Sequence, residues 1–361
     1  MTSDQGQPQM PLAIVAITPG GAALARRLGR ALPKAVVHLP ERFRRDDHLR
    51  YFAESLGELL PRLFAGGNSL ACIMATGIVV RILAPHLQRK DLDPAVVVLD
   101  EAGHYAVSLL AGHLGGANEL ARELARLTGG HPVITTATDV NGLPAWDEVA
   151  RREGLSIEPL KNIGRLNKLL LEGGRTVLVD RYGVVAGYFQ GLPEVMIAGT
   201  FSEAMKAQAS ARVFVTNRYI PHLEGQDDLL VLRPRDLVVG IGCNRGTSLE
   251  EIEAAVFEEL QKAFLSTKSI ACLATVSAKA DEAGLVGFAG KHRLPLEFHS
   301  TEDLNLMDAP SKPSPHALAA VGARGVCEPA ALLSSGSRTL LVTKKRRGNV
   351  TVAVAEKAND Q

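Results

Sequence analysis

Short runs of β-branched and small apolar residues, alternating with helical patterns, constrain this chain more than any other feature. Residues 12–18 (LAIVAIT) end in Pro19-Gly20-Gly21 and give way to the helical pattern AALARRLGRAL. Residues 35–39 read as the next strand, 46–64 as a helix and 69–75 (SLACIMA) as a buried strand. Thr76-Gly77 then opens the helical segment IVVRILAPHL, limited by Pro85. Residues 95–99 and 132–136 complete the apolar strands. Alternation of this kind predicts an α/β fold: a doubly wound, mainly parallel sheet with helices on both faces. Such sheets bind ligands outside the carboxyl ends of their strands. Four polar turns fall at predicted strand ends: 18–21 (TPGG), 75–77 (ATG), 111–118 (AGHLGGAN) and 136–139 (TATD). They are expected to converge on one edge.

The rest of the chain divides by pattern, giving expected domains at 1–140, 141–234 and 235–361. In the middle, the helical patterns WDEVARREGL and LKNIGRLNKLLLEGG alternate with strands at 176–180 and 211–217, and no group of residues stands out chemically. RPRD at 233–236 marks the boundary to a second α/β unit. There LVVGIGC is a strand, NRGT a turn, and Ser248 with Glu251 forms a capping box before a helix with Ile252, Val256 and Leu260 on one face. A strand (SIACLATV), a helix after Ser277, the segment GVCEPAALLSSG and a closing hairpin, TLLVTKKRRGNVTVAVAE, complete the unit. No internal repeat is visible.

Composition excludes several classes. Forty Lys+Arg against 39 Asp+Glu leave a net charge of +1, so no global field draws the chain to nucleic acid or an anionic membrane. The basic KKRRG at 344–348 is a predicted hairpin tip without aromatics, a weak case for nucleic acid. No apolar run reaches the roughly 18 residues of a membrane span. The first ten residues are polar, lack the order of a signal peptide, and read as a frayed tail. Cys72, Cys243, Cys272 and Cys327 form no C-x-x-C pair and are expected to be buried, reduced thiols. The expected location is the cytoplasm.

The chemistry concentrates at 100–139, DEAGHYAVSLLAGHLGGANELARELARLTGGHPVITTATD. Gly112, Gly115 and Gly116 permit a sharp turn close to a bound group. Ala117, Asn118 and Glu119 then start a helix whose first N–H groups lack internal partners, which makes an anion site. His113 in that turn is a candidate general base or acid, set against a histidine that merely bonds its loop. Asp100 and Glu101 supply a base or orient His113, or form an ordinary turn. Asp139 is catalytic, or a turn or helix cap. Thr76 and Gly77 suit a carboxylate or phosphate, although a plain helix cap also explains Thr76. Arg81 suits a substrate carboxylate or is simply solvated.

In the C-terminal unit Asn244, Arg245, Gly246 and Thr247 come directly after a strand, in an arrangement that suits an anion. Cys243 beside them reads as packing, not as a nucleophile. Lys279 and Arg245 are expected to recognise substrate carboxylates or close the cleft, with a surface Lys279–Glu282 ion pair as the plain alternative. Glu328 is a candidate substrate-binding residue that also caps or charges a helix start. No metal site is expected, because His104 and His113 lie nine apart with no third ligand at standard spacing. Nicotinamide, P-loop and serine-hydrolase fingerprints are missing.

ATGIVVRILAPHL, KDLDPAVVVLDEAG, SLLAGHLGGANELA and PVITTATD resemble, in order and spacing, the N-terminal domain of the CbiG family of cobalamin biosynthesis. VVGIGCNRGTSLEEI, SAKADEAGL, GVCEPAALL and LLVTKKRRGNVTVAVA resemble its C-terminal domain, which also occurs as a separate protein, CobE. The resemblance implies cobalt-precorrin-5A hydrolase activity: opening of a δ-lactone on the macrocycle and release of acetaldehyde, giving cobalt-precorrin-5B on the oxygen-independent route to vitamin B12. It implies a cobalt-corrinoid partner, with neighbouring pathway enzymes, and no separate cofactor, since cobalt arrives inside the substrate. It assigns no role to His104 and does not identify the base. His113 with Asp or Glu support would activate water, and the N–H groups of Gly115, Gly116 and Ala117 would meet the oxyanion. The residues alone leave open a non-catalytic corrinoid carrier, or a hydrolase or isomerase of another small anionic substrate.

Overall fold

Seven short strands form the first sheet of the computed structural model, which describes residues 11–89, 92–220 and 225–358. The expected polar tail at 1–10 lies outside the described residues. The strands are β1 (Leu12–Ala16), β2 (Val36–Pro40), β3 (Arg50–Phe52), β4 (Ser69–Ile73), β5 (Val96–Leu99), β6 (Tyr105–Leu110) and β7 (His131–Val133), ordered β3-β2-β1-β4-β5-β6-β7. Alternate side chains of a strand face opposite ways, and both faces are covered. Ile14, Ala16, Val97 and Leu99 pack beneath α1 (Pro19–Ala31) and, further along the chain, the helix Ala117–Thr128. Val15, Leu70, Cys72 and Val98 pack beneath α2 (Leu56–Ala65) and α3 (Thr76–Leu83). The doubly wound α/β reading is therefore correct. The helix expected over 46–64 is shorter, because β3 occupies 50–52 and a Ser55–Glu58 capping box starts α2.

One strand reverses the expected geometry. Every neighbouring pair in this sheet is parallel except β5 and β6, which are antiparallel with Val97 opposite Ser108 and Leu99 opposite Ala106. Only five residues, 100–104, connect them, whereas a parallel crossover needs a dozen or more. Asp100 closes the turn: its carboxylate accepts from the Ala102 N–H at 2.9 Å and the Tyr105 N–H at 2.7 Å. Strand β7 runs parallel to β6, so both point against the others. The turns at 18–21 and 75–77 therefore lie at the carboxyl edge of the main strands, beside Asp100 and Glu101. The turns at 111–118 and 136–139 lie at the opposite edge. The expected convergence of all four is wrong, and Thr76 and His113 do not share a site.

The chain forms two compact units. One comprises the chain to Gly154 with Ile163–Arg175 and Gly187–Glu194; the other comprises Leu155–Asn162, Thr176–Ala186 and the chain from Val195 onward. The first adds three helices to its sheet after Ala117–Thr128 (α4): α5 (Ala137–Val140), α6 (Trp146–Arg152) and α7 (Ile163–Leu171). The second unit holds two sheets. In one, β8 (Ser156–Glu158), β9 (Thr176–Asp180), β10 (Val195–Ile197), β11 (Ala211–Val215) and β12 (Leu229–Arg233) are ordered β10-β9-β11-β12-β8. In the other, β13 (Leu237–Cys243), β14 (Ile270–Val276), β15 (Leu296–His299), β16 (Val342–Arg347) and β17 (Val350–Glu356) are ordered β15-β14-β13-β17-β16. The last two strands are the expected closing hairpin. Among the described residues no helix is long and apolar enough to cross a membrane.

Asp100→Ala deletes both carboxylate bonds that close the β5–β6 turn. It should lower the unfolding free energy by about 1.5–3 kcal/mol in chemical denaturation, the usual worth of a hydrogen bond to a charged acceptor. A variant as stable as the parent would contradict the structural role of Asp100.

Candidate active site

The order of the strands reverses direction between β1 and β4. From their carboxyl ends the chain departs to opposite faces, into α1 and α3, which opens the crevice where such sheets hold ligands. A cavity of about 500 Å³ occupies it, bordered by Thr18, Thr76, Asp100, Glu101 and Tyr105 over the apolar Ile73 and Val98. Thr18 caps α1 by accepting the Gly21 N–H at 3.1 Å and donates its own proton to Glu101 Oε2 at 2.6 Å. Glu101 thus stands at the mouth of the cavity over the first turn of α1. Helix α3 starts at Thr76 after Ala75, with no side-chain cap, so the N–H groups of Thr76 and Gly77 have no capping oxygen. Thr76 is therefore not the cap residue.

Other expected residues on this edge have different work. The guanidinium of Arg81 folds back to the Gly77 carbonyl at 3.1 Å and does not border the cavity. Asp100 is committed to the hairpin. Burial alone would raise its carboxyl, but the N–H groups of Tyr105, His104 and Ala102 outweigh that and hold it below the ordinary carboxylate range.

At the opposite edge His113 lies between two carboxylates. Its Nε2 is 3.0 Å from Asp139 Oδ2 and its Nδ1 is 3.2 Å from Asp147 Oδ1. Asn167 donates to Asp147 Oδ1 at 2.8 Å; Asn118 and Arg122 donate to Asp139. Asn118 is itself 2% exposed and accepts from Ser108. Burial disfavours the charged ring, yet Asp147 and then Asp139 overcome it and lift the His113 pKa to about 9. An imidazolium held at both nitrogens keeps its proton at neutral pH. This geometry does not support the expected role of His113 as base.

The glycine-rich turn is likewise turned inward. Gly116, Ala117 and Asn118 donate their N–H groups to the carbonyls of His113, Ala111 and Gly112 at 3.0–3.1 Å. Of the three donors expected for an oxyanion, those of Gly116 and Ala117 are thus taken up inside the turn. Gly116 has φ 85°, and a Cβ on Gly115 would sit 2.4 Å from that of Ala111, so glycine is required to close the turn on itself. Asp139, Asn118 and Gly112 belong to the same buttress. His113, Asp139 and Glu148 place ligand atoms within 4.8 Å of one another. Arg122 already neutralises that position, bonded to Asp139 and 3.8 Å from Glu148, so the set fits a metal cation poorly.

In the second unit the expected anion site is only partly presented. Arg245 is exposed, 3.3 Å from Asp281 and 3.6 Å from Glu282. Asn244 bonds Asn349 at 2.8 Å and His316 at 3.0 Å. Lys279 is buried and donates to buried Glu282 at 2.9 Å, while the Gly246 N–H donates to the other oxygen of Glu282 at 3.0 Å. The Lys279–Glu282 pair is therefore internal and not at the surface, and Lys279 is not offered to a substrate carboxylate, contrary to expectation. Glu328 is buried and accepts the N–H groups of Ser311 and Lys344, fastening two loops instead of meeting a ligand. Burial pushes the Cys243 thiol up, which agrees with packing. The cysteines are free, as expected.

Models of the cobalamin synthesis G N-terminal region, the cobalamin biosynthesis central region and the cobalamin synthesis G C-terminus match residues 58–139, 144–234 and 237–355. A cobalt-precorrin-5A hydrolase of Priestia megaterium is 37% identical over 352 residues, covering 95% of this chain and 94% of the relative. The chain belongs to the CbiG family. A cobalt-precorrin-5A hydrolase of Salmonella typhimurium is 32% identical over 359 residues, 95% of this chain and 97% of that one. The protein CobE of a Sinorhizobium species is 30% identical over 110 residues, 30% of this chain and 71% of its own length.

Sequence reasoning missed Thr18, Arg122, Asp147 and Asn167 in this CbiG chain. Thr18 carried a signal, since a threonine before Pro-Gly-Gly and a helical pattern is an N-cap signature. The pairing of Asp147 with His113 carried none.

The network predicts a pH dependence. The folded His113 pKa of about 9 exceeds its ordinary value of 6.5, so its contribution is complete below 6.5 and is lost as pH rises through 9. The wild-type chain should lose about 3 kcal/mol of unfolding free energy across that interval, and His113→Gln should lack this loss while being less stable at pH 6.5. A wild-type profile flat from pH 6.5 to 9.5 would show that the ring is not held as an imidazolium.

Proposed function

We propose that this CbiG protein is a cobalt-precorrin-5A hydrolase of the cytoplasm, with Glu101 in the crevice between α1 and α3 as its base. The hydrolase reading is supported by relatives of that name matched over nearly the whole chain, which also makes a non-catalytic carrier the less favoured reading. The observation that carries the site is the Glu101 carboxylate, held by Thr18 at 2.6 Å over an open cavity at the carboxyl edge of the sheet.

The chemistry rests on these parts. Lactone opening needs water stripped of a proton as it attacks the carbonyl, and donors where the oxyanion forms. Glu101 takes that proton. The Thr76 hydroxyl and the N–H groups at the start of α3, including that of Gly77, meet the oxyanion. When the tetrahedral species collapses, the ring C–O bond breaks, leaving a carboxylate and an alcohol. Loss of the alcohol proton and cleavage of the adjoining carbon–carbon bond then release acetaldehyde, and the macrocycle keeps the bonding electrons. No separate cofactor enters, because the cobalt belongs to the substrate. Neighbouring enzymes of the pathway supply the lactone and consume the opened product.

The test is anaerobic incubation with cobalt-precorrin-5A, with acetaldehyde trapped and quantified. Glu101→Gln should lower kcat by about 10²–10⁴-fold with substrate affinity nearly unchanged. His113→Gln should retain kcat within a few-fold, scored per folded molecule. The reverse pattern would move the chemistry to the His113 edge.

A further inference from the structure

We infer that Thr18 and Gly20 are positioning residues that hold Glu101 in the geometry its proton transfer requires, an inference that rests on Glu101 being the base. A threonine hydroxyl has one proton to donate and two lone pairs. The Thr18 oxygen accepts the Gly21 N–H at 3.1 Å, which anchors it to the first turn of α1. Its single proton is directed to Glu101 Oε2 at 2.6 Å, within the range of a charge-assisted bond to a carboxylate. That bond holds Oε2 as an acceptor. The second oxygen, Oε1, has no hydrogen-bond partner among the described residues and is the one available to a water. A helix start thus fixes which oxygen of Glu101 does the work.

Gly20 makes room for this arrangement. It lies in the first turn of α1, and a Cβ built there would be 3.2 Å from both Cδ and Oε2 of Glu101. The missing side chain lets the carboxylate settle over the helix start, where the dipole favours negative charge. An alanine would displace the carboxylate by a few tenths of an ångström without altering its chemistry. Alanine is also the better helix former, so Gly20→Ala should not weaken α1. A residue needed only for folding would not combine undiminished stability with a slower reaction.

Thr18→Val, Thr18→Ser, Gly20→Ala and Glu101→Gln are compared in the full-length protein by acetaldehyde release and thermal unfolding. Thr18→Val should lose roughly 10–100-fold in kcat with KM within about twofold, the cost expected for a misplaced base. Thr18→Ser keeps the cap and the donor and should recover most of the rate. Gly20→Ala should reduce kcat several-fold while its melting temperature is equal to or above the parent's; it decides the matter if Thr18→Val fails to fold. If Glu101→Gln is inactive but Thr18→Val and Gly20→Ala turn over like the parent, the positioning role is wrong and the base assignment stands. If Glu101→Gln is active, the base assignment falls and the positioning role with it.

Discussion

The five-residue turn between β5 and β6 determines where everything chemical in the N-terminal unit can sit. Asp100 closes it by accepting two backbone N–H groups, and the turn is too short to return the chain parallel. Because β6 runs backwards, the glycine-rich turn at its C-terminal end is delivered to the far edge of the sheet. The six residues of β6 span about 20 Å, so that turn is a full strand length from Glu101. The same reversal keeps Glu101, at the tip of the hairpin, beside the helix starts of α1 and α3. The candidate site and the buttress are separated by the sense of one strand.

The far edge has its own logic. An imidazole between two mostly buried carboxylates is costly unless it is charged, and here Asp139 and Asp147 offset that cost jointly. Asn118, Asn167 and Arg122 occupy the remaining acceptor positions, which leaves little of the network unsatisfied. Asp147 comes from α6 and Asn167 from α7, so the network ties segments well beyond the first sheet into the same compact unit. A glycine-rich turn with a histidine resembles a reaction centre in sequence because both uses need tight backbone and polar side chains. The direction of the N–H groups separates the two. In this chain they point back into the turn.

Much of the fold was legible because strands such as β1, β4 and β13 are continuous apolar runs bounded by turn residues. Three of the four described three-residue strands, β3, β8 and β10, give no such run and were not visible. The start of α2 was readable from Ser55 and Glu58, yet the helical pattern upstream masked it. The sense of β6 was also readable, since DEAGH is too short to be a crossover, and with it the separation of His113 from Thr76. Burial of Lys279 was not readable: three-residue spacing from Glu282 is the same for a surface pair and an internal one. Nor was the His113–Asp147 contact, which joins two segments through tertiary packing alone.

With Glu101 as base, the substrate must occupy the crevice between α1 and α3 and not the cleft beside His113. The cobalt of the substrate provides its own label. Anomalous diffraction at the cobalt edge from crystals of Glu101→Gln grown with cobalt-precorrin-5A would locate the metal directly. The expected peak lies beside the cavity bordered by Thr18, Thr76 and Tyr105. A peak beside the cleft bordered by His113, Asn167 and Lys168 would contradict the assignment.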